Sequence, residues 1–190
     1  MSNEYHTPVL CNEAVEYLVT APEGIYVDGT LGGGGHAEAI MEKIYPYGSL
    51  LAIDTDADAQ KAARERLRRF ESKILFVHEN TVNIRSILHA NHISSIQGLL
   101  LDLGVSSHQL DESARGFTFR MNDVLDMRMD RRQQLNAGTV VNSYSEEDLA
   151  SIFWKYGEES ASRRVARMIV KERMQKPITC LLYTSPSPRD

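Results

Sequence analysis

Tyr26-Val27-Asp28-Gly29-Thr30-Leu31-Gly32-Gly33-Gly34-Gly35-His36 is the stretch on which the reading of this chain turns. An apolar strand runs into a carboxylate, and five glycines within the next seven residues free the backbone to approach a ligand closely. Leu99-Leu100-Leu101-Asp102-Leu103-Gly104-Val105-Ser106-Ser107 repeats the arrangement of apolar run, acid and turn. Leu50-Leu51-Ala52-Ile53-Asp54 ends on a third acid, 26 residues after Asp28, near the spacing at which such folds set a carboxylate on a ribose diol. In open α/β sheets ligands sit in the crevice outside the carboxyl ends of the strands. Three strand-end acids and a glycine loop therefore point to a site for a nucleoside-bearing cofactor.

Around these segments the hydrophobic period alternates between strand and helix, as expected of βαβ units and a parallel sheet. Strands are predicted near 25–28, 49–54, 73–78 and 96–101, with helices over 38–44, 57–70 and 82–90 between them. Asp56 is placed to cap the second of these helices, and Ala59, Ala62, Ala63, Leu67 and Phe70 form its apolar stripe. Lys61, Arg64, Glu65 and Arg68 then make a solvated face. Beyond Ser107 the period is lost, and residues 108–142 read as an ordered loop or short helices. Ser145-Glu146-Glu147-Asp148 opens a helix through about Tyr156, with Leu149, Ile152 and Phe153 inward. A last helix spans 160–175, with Ala161, Val165, Met168 and Ile169 on one face and Arg163, Arg164, Arg167 and Lys171 on another. The fold class is α/β, with residues 1–107 forming the sheet domain and residues 108–178 a helical insertion. Residues 179–190 follow no structural logic, resemble translated adapter sequence and read as a non-native tail. The natural chain is accordingly expected to be longer.

At 190 residues and 42% hydrophobic composition, the chain can bury a full core. No apolar run approaches the roughly 20 residues of a membrane span, and the N-terminus lacks a basic leader, so the expected address is cytoplasmic. Cys11 and Cys180 have neither framework nor zinc-site spacing, and Cys11 reads as a small buried hydrophobe. The net charge of −5 is unevenly distributed: residues 1–110 carry 8 basic and 14 acidic groups, residues 111–178 carry 12 and 11. An acidic total argues against non-specific wrapping by nucleic acid, and the basic half is where a phosphate-facing surface would lie.

The glycine run supports three readings. A dinucleotide site would place a pyrophosphate at the helix N-terminus, and glycines at 29, 32, 33, 34 and 35 fit that fingerprint imperfectly. S-adenosylmethionine has no phosphate and needs only close backbone approach and a ribose acid, which this spacing accommodates better. A purely structural turn is the third reading. His36 has no acidic partner in the sequence pattern and is read as a contact residue. His89 and His92 lack a recognisable third ligand and are read as surface, so no metal site is expected. Two alternatives from other classes share the pattern: a nicotinamide-dependent oxidoreductase, and an inactive cofactor- or RNA-binding fragment.

Further blocks narrow the choice. His6-Thr7-Pro8-Val9-Leu10, Asp28-Gly29-Thr30 with Gly34-Gly35-His36, Leu101 to Ser107, Gln109-Leu110-Asp111, Arg115-Gly116-Phe117 and Leu125-Asp126-Met127-Arg128-Met129-Asp130 occur in order over residues 5–178. Together they resemble the ribosomal RNA small subunit methyltransferase H family, whose members use S-adenosylmethionine to methylate N4 of a cytidine in bacterial 16S rRNA. The resemblance implies a Rossmann-like methyltransferase sheet, of which the first four strands are present, and a helical insertion that receives RNA. It implies Gly34, Gly35 and His36 at the methionine end of the cofactor, Asp54 on the ribose, and Asp102 and Gln109 around the adenosyl and methionine groups. Where the family carries an aromatic residue after the third strand this chain has Thr81, which leaves a backbone contact there. Asp102 is followed by Leu103-Gly104-Val105 and not by the Pro-Pro-aromatic run of many amino-methyltransferases, so the catalytic acceptor is unassigned. The implied partner is 16S rRNA of the small ribosomal subunit, with no membrane.

Overall fold

Four parallel strands form one sheet: β1 (Ile25–Asp28), β2 (Ser49–Asp54), β3 (Ile74–His78) and β4 (Gly98–Leu100). This computed structural model describes residues 8–105, 115–118 and 124–181. The strand order β3-β2-β1-β4 is the Rossmann-like order, with the chain stepping outward from β1 to β3 and then crossing back to the other side of β1. The switch point lies between β1 and β4. Parallel strands covered on both faces need apolar residues at successive positions, which is why their sequences read as unbroken runs. Tyr26, Leu50, Ala52 and Leu100 face one layer, with Ile40, Met41 and Ile44 of α2 (Gly35–Ile44) and Ala63 of α3 (Ala57–Arg66). Val27, Leu51 and Ile53 face the other, with Ile87 of α4 (Ile84–Ala90).

The expected elements are present, with shifted ends. Asp56 caps α3 by accepting from the Asp58 N–H at 3.0 Å, and Ala59, Ala63, Leu67 and Phe70 are buried as the stripe requires. After Arg66 the α-helix tightens into a 3₁₀ segment, Arg68–Lys73, where the sequence pattern ran on to 70 as one helix. The next helix likewise starts with a 3₁₀ turn, Thr81–Asn83. β4 is shorter than the 96–101 expected because side chains take over at both ends: Gln97 Oε1 accepts from the Ile25 N–H at 2.5 Å, and the Asp102 N–H turns to Thr30 Oγ1 at 2.7 Å. Helix α1 (Cys11–Leu18) was not anticipated. It buries Val15 and packs half-buried Cys11, Ala14 and Leu18 on the core.

The chain divides into two compact units, Met1–His108 and Gln109–Asp190. The second contains α5 (Ala137–Ser143), α6 (Glu146–Gly157) and α7 (Ser162–Gln175). Asn136 and Ser145 cap α5 and α6, accepting from the Thr139 and Asp148 N–H groups at 2.8 and 3.0 Å. Helices α6 and α7 pack on each other. The inward line of α7 runs through Ser162 and Ala166, rotated from the expected face, on which Val165, Met168 and Ile169 are only half-buried. Val124 and Cys180 form an antiparallel bridge, and the Leu125 N–H donates to the Thr179 carbonyl at 3.2 Å.

Candidate functional site

The strand register places the three acids at different depths. Asp28 pairs with Ala52 and Leu100, so Asp54 and Asp102 stand two residues farther along their strands on either side of it. Asp28 is therefore enclosed, at 0% exposure. Its Oδ1 accepts the Thr30 N–H at 3.1 Å in an Asx turn, while the buried Oδ2 has no hydrogen-bond partner among the described residues. Burial pushes the Asp28 carboxyl up to about 7; the Thr30 N–H pulls the other way, and the nearby charges of Asp54 and Asp102 add to the rise. The sequence marks Asp28 as a strand-end acid, yet its burial follows from register alone.

Asp54 is half-buried and fixes the glycine loop. Its Oδ2 accepts the Gly32 N–H at 2.7 Å and its Oδ1 accepts the Asp56 N–H at 2.8 Å. Desolvation raises its carboxyl above the usual range, and those two N–H donors oppose the rise. Each oxygen keeps lone pairs beyond these bonds, so a diol can still be held. Gly32 has φ +49° and meets only the Thr30 carbonyl when a Cβ is built on it. Backbone there is open to a ligand.

Gly34 and Gly35 have packing reasons of their own. Gly34 precedes α2 at φ +80°, and a Cβ on it would come within 3.2 Å of Ala63 Cβ on α3. A Cβ on Gly35 would meet Pro8 Cγ at 2.5 Å. His36, in the first turn of α2, is buried, with Nε2 3.2 Å from the Val9 carbonyl oxygen and Nδ1 3.9 Å from Asp102 Oδ2. The acidic partner that the sequence pattern did not reveal is thus Asp102, more than sixty residues away. The Asp102 side chain is 56% exposed, and its backbone is tied to Thr30. Thr81 Oγ1 donates to the Gly29 carbonyl, and Gly29 leaves no room for a Cβ between Leu101 and Thr81. These contacts gather Gly34, Gly35, His36, Asp54, Thr81 and Asp102 around the carboxyl ends of β1, β2 and β4. Gln109 lies outside the described residues. Thr30, which bonds both Asp28 and Asp102, is the member that sequence reasoning passed over. His89 and His92 are exposed, and no group of residues that could hold a metal ion is found among the described residues.

The crevice offers what an adenosyl amino acid would need: a half-buried carboxylate for a diol, open glycine backbone, and a buried acid with an unused oxygen. In the second unit Asp126, from the Leu125–Asp130 block, receives the Arg128 guanidinium in a fork at 2.7 and 2.8 Å, and this bond holds its carboxyl below the ordinary range. Arg163, Arg164, Arg167 and Lys171 are exposed along α7. Among the described residues no helix is long and apolar enough to cross a membrane.

Residues 3–182 match the MraW methylase family. Among curated proteins, the ribosomal RNA small subunit methyltransferase H of Clostridium botulinum is 49% identical over 173 residues, 91% of this chain and 56% of that protein. The protein of the same name from Clostridioides difficile is 46% identical over 174 residues, 92% of this chain and 56% of its own length. That of Fusobacterium nucleatum is 44% identical over 178 residues, 94% and 57% respectively. The chain thus spans a little over half the length of the curated relatives it matches.

Proposed function

This chain belongs to the MraW methylase family, and from that premise we propose that the whole protein methylates N4 of a cytidine in 16S rRNA of the small ribosomal subunit, using S-adenosylmethionine. The observation that carries the reading is the coincidence of the family match with three strand-end acids and an open glycine loop in one crevice. In this reading Asp54 holds the ribose hydroxyls with the lone pairs left by its two backbone bonds. The backbone of Gly34 and Gly35, with His36, lies at the methionine end, Asp102 and, on the family resemblance, Gln109 lie around the adenosyl and methionine groups, and Thr81 presents backbone toward the adenine. Asp28 supports the loop through Thr30.

Bound S-adenosylmethionine supplies a methyl group already activated by its sulfonium, so the reaction asks the protein for alignment and exclusion of water and for no nucleophile of its own. Fixing Gly32 and Thr30 through Asp54 and Asp28 gives the loop one conformation, which is what alignment requires. The acceptor amine is reachable only on an unpaired or flipped-out base. The basic face of the second unit is suited to the surrounding phosphates, and a cytoplasmic address follows from such a substrate. The test is calorimetric titration of the full-length protein with S-adenosylmethionine, followed by transfer of labelled methyl to small ribosomal subunits and nucleoside analysis. Label on cytidine N4 supports the reading. Binding of NAD with none of S-adenosylmethionine would overturn it in favour of an oxidoreductase.

A further inference from the structure

We propose that the groove between α6 and α7 is a docking site for single-stranded RNA, in which a nucleobase stacks on Trp154 while Arg163, Arg164 and Arg167 take the flanking phosphates. The proposal rests on the RNA-methylation reading and assigns a contact surface to it. Trp154 is the chain's one tryptophan and is 64% exposed, although a ring of that size normally finds cover. It lies in register with Ala150 and Glu146 at four-residue spacing, so all three line the same side of α6. Opposite them, Arg163 and Arg167 stand four apart on α7, and Arg164 joins them. The groove they enclose has a volume of about 1080 Å³, enough for a nucleotide and its neighbours.

The charges favour an anion. Arg163 and Arg164 are exposed, have no carboxylate partner among the described ion pairs, and occupy the first turn of a 14-residue helix that has no acid there. Positive charge at that end opposes the helix dipole, so it is an expense unless an anion meets it. Arg167 reaches Glu146 at 3.3 Å, but that pair is exposed and worth little, leaving the guanidinium available to phosphate. Glu146 and Glu147 have a separate explanation in the capped start of α6. An aromatic platform beside guanidinium groups is the combination by which proteins hold unpaired nucleotides: stacking tolerates any base, and arginines follow the backbone. An acidic peptide offers charge but no planar ring for Trp154, which is why RNA is the occupant favoured.

The emission that belongs to Trp154 is the difference between the full-length protein and its Trp154→Ala variant. Full-length protein is titrated with a short unpaired cytidine-containing RNA, following tryptophan emission and, separately, the anisotropy of labelled RNA. Quenching on binding is expected. Trp154→Ala should weaken binding by roughly 5- to 150-fold, Trp154→Phe should restore part of it, and Arg163→Gln with Arg164→Gln should lower the salt slope by about two. Thermal melts of each variant separate these effects from misfolding. RNA affinity and salt slope unchanged in both the Trp154→Ala and the double arginine variants would overturn the proposal, as would quenching by a polyglutamate peptide and not by RNA. Calorimetry with S-adenosylmethionine on the same samples keeps the two readings apart. Intact cofactor binding with an indifferent Trp154 overturns this inference alone, whereas quenching by RNA without cofactor binding overturns the methylation reading and supports the groove.

Discussion

Two acid-bearing loops, one after β1 and one at residues 126–132, use the same residue type to opposite effect. Asp28 is enclosed without a cation among the described residues, has two further carboxylates nearby, and its carboxyl is pushed up to about 7. Asp126 has the Arg128 fork two residues away and is held low. Asp130 repeats the second arrangement with Arg132, at 2.9 and 2.8 Å. An acid neutralised by a neighbour in its own loop builds that loop. An acid kept buried and uncompensated lowers stability, and sites that do so concentrate where ligands bind. The contrast separates a carboxylate compensated within its own loop from one held buried with an unpartnered oxygen among the described residues.

The strongest way to break this comparison is Asp28→Asn. The folded-state value lies above the ordinary 3.8, so between pH 4 and 7 the folded protein binds the extra proton and stability falls as pH rises. Above pH 7 the full loss, on the order of 4 kcal/mol, should be present. Asn keeps the acceptor for the Thr30 N–H and cannot ionise. The variant should therefore be more stable than the parent at pH 8 and nearly equal to it at pH 4, as read by denaturant midpoints across pH; the slope left in the variant belongs to other groups, the raised Asp54 carboxyl among them. A variant that lost ground to the parent as pH rose over that window would place a cation against Asp28.

Asp54→Ala comes next in size and sharpens the division between the acids of the crevice. It removes the acceptors of the Gly32 and Asp56 N–H groups, both charge-assisted, and should cost about 3 kcal/mol of stability. S-adenosylmethionine affinity should fall at least roughly tenfold by calorimetry, since the diol loses its carboxylate as well. Unchanged unfolding with lost affinity would make Asp54 a ligand residue only, and the loop would have to be held by its packing.

The sheet was legible because parallel strands covered on both faces leave long apolar runs, and the acids at their ends stand out against them. Depth was not legible. That Asp28 sits two residues deeper than Asp54 and Asp102 depends on cross-strand register, which no local pattern states. The glycines were read for ligand approach, yet Gly34 is constrained by Ala63 and Gly35 by Pro8, contacts distant in sequence. Helix α1 did carry a signal, since Cys11, Ala14, Val15 and Leu18 fall at helical spacing. It is only eight residues long, with one residue fully buried, so the stripe was too short to stand out. Thr30 was hidden for a different reason: its hydroxyl accepts from a backbone group 72 residues away.

The smallest effect concerns the paired acid and should carry the opposite sign. With its value depressed by the Arg128 bond, Asp126 contributes stability that is present above the unfolded value near 3.8 and lost as pH falls toward the folded one. Asp126→Asn leaves one acceptor and turns the other oxygen into a donor facing the guanidinium. Arg128 keeps its bonds to the Arg131 and Gln133 carbonyls at 3.3 and 2.7 Å, so the loop retains part of its framework. The loss should therefore be only about 1 kcal/mol at pH 7. Thermal melts from pH 7 to pH 3 should show the difference from the parent constant at first and shrinking below pH 4. The pH slope thus reverses between two aspartates of one chain, because one carboxylate has a cation against it and the other has none among the described residues. A difference that grew on acidification would mean that the fold disfavours the ionised Asp126 carboxylate, and the rule drawn from these two loops would fail.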